Sequence, residues 1–332
     1  MGGGITGTLI FYVALLFIMM VPGIIMKKCK LSTDGFGKGV SNLVLYIAQP
    51  ALVFLAYVRP FDMEILKNAI VVLVISVIMH TIFAMIAMTV FYRAEDSARR
   101  MLSFATVFSN AAFMGIPLIE AVLGSEATIY ATVYNITFNI FLWSLGVYFC
   151  TVKRDMDKDG DIDTRMESAS IAASSLGKAF IHPVTIAAGL GILFFLLPID
   201  GYIPTIAMDS LTMLKNLVAP LSMVVIGLRL ADISFKGFFK DKFMYVFIVL
   251  RHFALPLVTI LMLFLLKTVG VNISETVYMV LVIMSATPAA SSATMFAEKF
   301  DCDAAYVSKL VAFSTILSIA SMPLVVMLAN LF

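Results

Sequence analysis

Long apolar stretches separated by short polar segments run through the whole chain. Each stretch has about 20 residues, the length that an α-helix needs to cross the hydrocarbon core of a bilayer. The pattern predicts ten membrane-spanning helices, spans 1 to 10, over residues 5–26, 40–58, 68–92, 101–123, 127–150, 179–198, 209–230, 243–266, 276–297 and 305–331.

The composition agrees with a membrane protein. Of the 332 residues, 61% are hydrophobic and 13% are charged, and the mean hydropathy is +1.02. An average soluble domain is roughly 45–50% apolar and about 25% charged. Because a water-soluble core of this size could not bury so much apolar surface, we expect an all-α integral membrane protein.

The basic residues indicate how the spans are oriented. Most of the 23 Lys and Arg residues lie in the loops after spans 1, 3, 5, 7 and 9, for example Lys27 and Lys28 after span 1. Loops rich in Lys and Arg stay in the cytoplasm. The pattern therefore predicts a multi-pass protein of the plasma (inner) membrane with both termini outside the cytoplasm.

The longest predicted loop, 153–178, contains the acidic run "DMDKDGDID" (Asp155–Asp163). Its spacing fits the first part of an EF-hand calcium loop, but Met166 stands where the loop requires a bidentate Glu. We interpret 153–178 as a solvated acidic linker in the cytoplasm, with a weak calcium site as the alternative. The three cysteines are expected to be free thiols, and no Cys or His spacing indicates a metal site.

The linker divides the chain into two halves, 1–152 and 179–332, that resemble each other. "IAQPALVFLAYVRPFD" (47–62) matches "LVAPLSMVVIGLRLAD" (217–232), and Pro117 in span 4 matches Pro288 in span 9. Since each half holds five spans, the second half must enter the membrane in the opposite orientation. Such an inverted-topology repeat is typical of secondary transporters.

Spans 4 and 9 carry helix-breaking and polar residues at their centres. "SNAAFMGIP" begins at Ser109 and "SATPAASSA" begins at Ser285. Unwound backbone at this depth is tolerated only where it is buried in protein or lines a cavity. Each break exposes the N-terminus of a half-helix, whose free N–H groups favour an anion. We therefore predict that the two breaks cross and bind a small anion, such as a carboxylate.

Three segments carry a family resemblance: "GIIMKKCKLSTDGFGKGVSNLVLYIAQPALVF", "SNAAFMGIPLIEAVLG" and "SATPAASSATMFAEKF". They resemble the auxin efflux carrier family in its bacterial form, and the resemblance covers essentially the whole chain. It implies a scaffold of spans 1, 2, 6 and 7 and a transport domain of spans 3–5 and 8–10. It also implies that the substrate is a small organic acid such as malate, malonate or auxin. Plant members carry Asn-Pro where this chain has His182-Pro183, so a plant-hormone substrate is not carried over.

The predicted substrate site combines both breaks with polar residues of neighbouring spans. Asn135 and Asn139 lie one turn apart on span 5 and either line the pocket or bond to a neighbouring helix; the resemblance implies that the Asn135 position faces the substrate. The predicted site residues are Asn110, Ala111, Gly115, Pro117, Thr287, Pro288, Ser291, Ser292, Asn135, Asn139 and Gln49.

Ionisable residues inside spans are candidates for ion coupling. Glu120 is a candidate, and the alternative is that it reaches the outer membrane surface. His80 and His252 are candidates for proton transfer because histidine titrates near neutral pH, and a structural role is the alternative. Arg251 is expected to reach a carboxylate or a lipid headgroup.

These features predict a secondary transporter of a small organic anion that works by alternating access. No cofactor and no nucleic acid are expected, H⁺ and Na⁺ are the candidate coupling ions, and a homodimer through the scaffold is a candidate assembly. A sensor or a channel derived from a transporter is the alternative. An intramembrane enzyme is less favoured, because the chain lacks the Gly-x-Ser-x-Gly motif expected of an intramembrane serine protease.

Overall fold

The computed structural model describes residues 5–33, 35–152, 161–197, 203–234 and 238–331. The described chain is helical throughout, with one isolated backbone bridge. Its principal helices are α1 (Thr6–Lys28), α2 (Phe36–Tyr57), α3 (Met63–Arg93), α4 (Asp96–Val107), α5 (Ala111–Leu123), α6 (Ser125–Thr151), α7 (Asp161–Ile181), α8 (Pro183–Leu196), α9 (Thr205–Ala231), α10 (Lys242–Thr268), α11 (Glu275–Ala286), α12 (Ser292–Lys299) and α13 (Ala304–Ala329).

Seven of the described helices are long and apolar enough to cross a membrane, namely α1, α2, α3, α6, α9, α10 and α13. An eighth span results if α7 and α8, which meet at an angle of 54°, are counted together. This architecture agrees with the predicted all-α integral membrane protein. Predicted spans 4 and 9 are each divided in two, span 4 into α4 and α5 and span 9 into α11 and α12.

Three prolines widen their helices instead of ending them. Proline has no N–H to donate, and its ring clashes with the carbonyl four residues earlier, so a wider turn relieves the conflict. Before Pro117, for example, the N–H of Ile116 bonds to the carbonyl of Ala111, five residues back. The same π-helical turn, ending two residues before the proline, precedes Pro50, Pro117 and Pro256.

The predicted unwound segment of span 4 is therefore too long. Only residues 108–110 are non-helical, and Pro117 lies inside α5. In span 9 the non-helical residues are 287–291, which include Pro288. The difference has a physical cause, because the π turn absorbs the clash of Pro117, whereas Pro288 lies at the point where the helix has already ended.

The predicted linker is partly helical. α7 occupies Asp161–Ile181 and carries many small Ala and Ser residues, so the loop predicted at 153–178 is shorter than expected. The side chains of the acidic run Asp155–Asp163 lie outside the described residues, and the calcium interpretation therefore stays a prediction.

Two glycines bring α1 and α9 into backbone contact. A Cβ atom built on Gly23 would lie 2.2 Å from the carbonyl oxygen of Val224, and one built on Gly227 would lie 2.1 Å from the carbonyl oxygen of Met20. Real Cβ atoms do not approach backbone so closely, and small residues at helix interfaces are a common means of packing helices in membranes. At this contact the backbones of predicted spans 1 and 7 touch directly, so neither glycine can be replaced by a larger residue unless a helix moves.

We expect Gly23→Ala to destabilise the protein. The added methyl group meets backbone atoms that cannot rotate away, and overpacking of this kind costs about 1–3 kcal/mol or more. The melting temperature in detergent measures the effect. Gly7→Ala in the same helix is the matched control, because a Cβ at Gly7 meets nothing within 4 Å. Equal melting temperatures for the two variants would contradict the proposed backbone contact.

Candidate functional site

The two breaks are hydrogen-bonded to each other. The N–H of Asn110 donates to the carbonyl of Pro288 at 2.7 Å, and the N–H of Ala290 donates to the carbonyl of Phe108 at 2.8 Å. These non-helical residues therefore satisfy each other's backbone groups. Mutual pairing explains how non-helical backbone is tolerated inside an apolar helical protein.

The reciprocal bonds show which residues meet where the two breaks cross. They place Asn110 opposite Pro288 and Ser109 opposite Ala289, so Pro117 is not part of the crossing. The sequence comparison matched Pro117 with Pro288 because both are prolines in polar stretches of their spans. Pro117 lies seven positions beyond Asn110 along the chain, inside α5.

Arg251 of α10 binds the ends of both interrupted helices. Its side chain is fully buried. Nη1 donates to the carbonyl of Thr106 at 3.0 Å, and Nη2 donates to the carbonyls of Ser285 at 2.8 Å and Thr287 at 2.6 Å. Nε also donates to the carbonyl of Thr287, at 3.1 Å.

These contacts give Arg251 a role that the sequence analysis missed. Thr106 lies at the C-terminal end of α4, and Ser285 and Thr287 lie at the C-terminal end of α11. The last carbonyls of a helix have no partner within the helix and carry the negative end of its dipole. The expectation of a carboxylate or lipid partner is wrong, since these bonds go to backbone carbonyls. The sequence feature that could have indicated this role was a charged residue inside an apolar span.

His252, the next residue, supports the second break from the side of α13. Its Nε2 lies 2.9 Å from the hydroxyl oxygen of Ser314, and its Nδ1 lies 2.7 Å from that of Ser321. The Ser314 oxygen also accepts the N–H of Ala289 at 2.9 Å. Both ring nitrogens of His252 are thus engaged, an arrangement that suits the structural alternative.

His80 is placed differently. Its Nδ1 lies 2.7 Å from the carbonyl oxygen of Ser76 in its own helix, so Nδ1 carries the hydrogen. The ring packs against Tyr134 and Phe141 at centroid distances of 5.1 Å. Nε2 is buried with no hydrogen-bond partner among the described residues. The ring bonds locally to α3, and its contacts are with the side chains of α6.

Three buried amides carry an atom that has no hydrogen-bond partner in the described part of the chain. These atoms are Nδ2 of Asn110, Oδ1 of Asn135 and Oε1 of Gln49. The other end of Gln49 is engaged, because Nε2 donates to the carbonyl of Ala112 at 2.6 Å. Leaving a buried polar group unpaired costs about 1–3 kcal/mol. The donor on Asn110, at the crossing of the breaks, is therefore a group that a ligand can satisfy.

The remaining predicted site residues differ in their contacts and in their positions on the helices. The Thr287 hydroxyl donates to the carbonyl of Met284 at 2.9 Å and so is not free. A Cβ built on Gly115 would lie 2.7 Å from the sulfur of Met284, so glycine permits α5 to approach α11. Ala111 begins the π turn of α5, Ser292 begins α12, and Asn139 is buried on α6.

A large cavity reaches the second break. Its volume is about 1030 Å³, and Ser291 forms part of its wall. Arg229 of α9, another wall residue, donates through Nη1 to the carbonyl of Ser291 at 2.5 Å. The charged wall residues include five basic and two acidic ones, an imbalance that attracts anions: Lys27, Lys38, Arg229, Lys299, Lys309, Asp232 and Glu298.

Glu120 forms an ion pair with Lys215 that joins α5 to α9. Both side chains are about a quarter exposed, at 23% each. Neither residue is among those that line the large cavity, which is bordered by the loops predicted to be cytoplasmic. The pair thus links an interrupted helix to α9 at a place separate from the cavity.

The chain is similar along most of its length to a family of membrane transport proteins and to two uncharacterized transporters. A family model described as "Membrane transport protein" matches residues 8–326, a range that contains both breaks and Arg251. An uncharacterized transporter of Methanothermobacter thermautotrophicus is 26% identical over 312 residues, covering 92% of this chain and 94% of the relative. An uncharacterized transporter of Methanocaldococcus jannaschii is 22% identical over 228 residues, covering 68% of this chain and 70% of the relative.

We expect Ser314→Ala to destabilise the protein, because it leaves the N–H of Ala289 and Nε2 of His252 unpaired. The cost should be about 1–3 kcal/mol of unfolding free energy, measurable by thermal or denaturant unfolding in detergent. Ser318→Ala is the matched control, since Ser318 is equally buried on α13 and bonds only to the carbonyl of Thr315 in its own helix. A loss of equal size in both variants would show that Ser314 does not support the break.

Proposed function

The chain belongs to the membrane transport protein family, the family of auxin efflux carriers that its motifs predicted, and we propose that it is a secondary transporter of a small organic anion. Membership of the family and the names of both relatives indicate a transporter and not an enzyme. The two relatives come from archaea, and the predicted assignment to the bacterial form stays a prediction. Substrate, mechanism and membrane location are parts of the proposal.

The proposed architecture has ten spans in a five-plus-five inverted repeat. It counts α4 with α5, α7 with α8, and α11 with α12 as one interrupted span each. The reciprocal hydrogen bonds of the two breaks support this reading, since each break donates one N–H to the other. The scaffold would comprise α1, α2, α7 with α8, and α9, and the remaining helices would form the transport domain.

The observation that carries the function is the unpaired Nδ2 of Asn110. A carboxylate has only acceptor atoms, so it suits a buried amide donor beside the first N–H groups of α5, which have no acceptor within their helix. The buried Asn135 and the basic cavity wall favour a small polar anion over a neutral apolar ligand. Malate, malonate and auxin-like acids are the substrates that the family resemblance implies.

Alternating access is supported by the asymmetry around the crossing. The cavity leads from the loops predicted to be cytoplasmic to Ser291, while Glu120 and Lys215 join α5 and α9 elsewhere. We propose that the described conformation is open to the cytoplasm and that this ion pair closes the outer side. Movement of the transport domain would separate Glu120 from Lys215 and would release Ser291 from Arg229. A channel is less favoured, because a channel needs no such pair of contacts between moving parts.

The proposed setting is the plasma membrane, with both termini outside and a homodimer formed through the scaffold. The exposed native Cys29 lies in a loop predicted to be cytoplasmic, and Val269, 76% exposed, lies in a loop predicted to be outside.

We expect a membrane-impermeant maleimide to label Cys29 only from the cytoplasmic side. In a protein with Cys29, Cys150 and Cys302 replaced by Ser, a Cys introduced by Val269→Cys should be labelled only from outside. Labelling in intact cells and in inverted vesicles measures this difference. Labelling of both positions from the same side would defeat the inverted repeat, because it places the loops after α1 and α10 on one face.

We expect Asn110→Ala to weaken binding of the transported carboxylate about tenfold or more, since a hydrogen bond to a charged group contributes about 1.5–3 kcal/mol. The substrate is first identified by a thermal-shift screen of small mono- and dicarboxylates and by saturable uptake into proteoliposomes. Melting temperature without ligand should hardly change, because the Asn110 donor is unpaired.

Asn68→Ala is the control for this variant. It removes an amide that bonds to the Tyr130 hydroxyl at 3.4 Å, away from the breaks. Its affinity for the carboxylate should stay at the wild-type value. Wild-type affinity in Asn110→Ala would show that the carboxylate binds away from the crossing, and it would not contradict the proposed transport function. Absence of carboxylate uptake by the wild-type protein would contradict the function itself.

A further inference from the structure

Resting on the proposed transport function, we infer that Arg251 is a built-in cation that occupies the place where a coupling Na⁺ would bind. In transporters with interrupted helices, unwound backbone carbonyls and the C-terminal ends of half-helices coordinate the transported Na⁺. The corresponding carbonyls here belong to Thr106, Ser285 and Thr287, and all three accept hydrogen bonds from the guanidinium. The crossing of the two breaks therefore already contains the positive charge that a bound Na⁺ would supply.

The geometry of these bonds suits a positioning role. The guanidinium joins the end of α4 to the end of α11, so it holds the two interrupted helices at a fixed separation. Thr287 directly precedes Pro288, whose carbonyl accepts the N–H of Asn110. Arg251 therefore acts on the anion site through the backbone that positions Asn110.

The charge is not cancelled nearby. None of the ion pairs in the described part of the chain includes Arg251, and Glu120, the acid within α5, pairs with Lys215. A buried cation is costly unless it is hydrogen-bonded and balanced. The four bonds to carbonyls meet the first requirement, and a bound carboxylate meets the second. The positive charge thus favours an anionic substrate without requiring a second ion.

Removal of the guanidinium should turn the carbonyl cluster into a cation site. Arg251→Ala leaves three carbonyl oxygens facing a space large enough for a small ion, whereas Arg251→Lys keeps a charged donor there. The test is the melting temperature and the binding of radioactive Na⁺ for purified wild-type protein and both variants, in sodium chloride and in choline chloride.

We expect wild-type protein and Arg251→Lys to show no difference between the two salts and no saturable Na⁺ binding. Arg251→Ala should be less stable in choline and should gain about 2 °C or more in melting temperature as Na⁺ is raised, because an ion that binds only the folded state stabilises it by mass action. Arg229→Ala is the control, since it frees only the carbonyl of Ser291 and should gain nothing from Na⁺.

Saturable Na⁺ binding by the wild-type protein, with a matching rise in melting temperature, would overturn the inference. So would a folded Arg251→Ala variant that shows no response to Na⁺. If Arg251→Ala does not fold, the wild-type and Arg251→Lys measurements still decide, because either one binding Na⁺ contradicts the inference. None of these readouts requires transport, so a failure of the proposed function is recognised separately by the absence of carboxylate uptake.

Discussion

The backbone pairing of the two breaks is the constraint on which the rest of the structure depends. Ending a helix in apolar surroundings leaves several N–H and carbonyl groups without partners, and each such buried group costs about 1–3 kcal/mol. The bonds from Asn110 to Pro288 and from Ala290 to Phe108 are reciprocal. Neither break could therefore persist without the other, and the four helices that end at the crossing must stay together through any motion.

The crossing is also electrically polarised, because the C-terminal and N-terminal helix ends that meet there have different partners. Arg251 binds the carbonyl ends of α4 and α11, where the helix dipoles are negative. The N–H end of α5 lies beside Asn110, whose amide donor is unpaired. Neutralising the negative ends while leaving buried donors unpaired gives a crossing whose local charge favours an anion. The chemistry of the proposed substrate thus follows from the backbone of the crossing, the Asn110 amide and one guanidinium.

The long apolar stretches and the composition were sufficient to predict an all-α membrane protein and its long helices, but not how the helices end. The last span was predicted at 305–331 and the structure has Ala304–Ala329, because a long apolar run has few alternatives in a bilayer. The breaks in spans 4 and 9 were predicted from their polar and proline residues. The residues at which these helices end were not predicted. A proline can be accommodated by a π turn, as before Pro117, or it can lie beyond the end of the helix, as Pro288 does.

The role of Arg251 could not be predicted for a different reason. A sequence shows that a charged residue lies within an apolar span, but its partners here are carbonyls from two other helices, more than 30 residues away along the chain. Backbone carbonyls carry no sequence signature, so only the fold reveals them. The unpaired atom of Asn110 could not be predicted either. The residue type indicates a polar site, but the absence of a hydrogen-bond partner is a property of the packing.

The strengths of the contacts indicate where the molecule can move. The Glu120–Lys215 pair is partly exposed, and such pairs contribute about 0–1 kcal/mol. Separating the breaks would instead expose buried backbone groups and the fully buried Arg251, and pulling α1 from α9 would open the backbone contact at Gly23. Motion should therefore divide the molecule between these two rigid units, at the contacts of Glu120 with Lys215 and of Arg229 with Ser291. The crossing would then move as a whole and carry its charge with it.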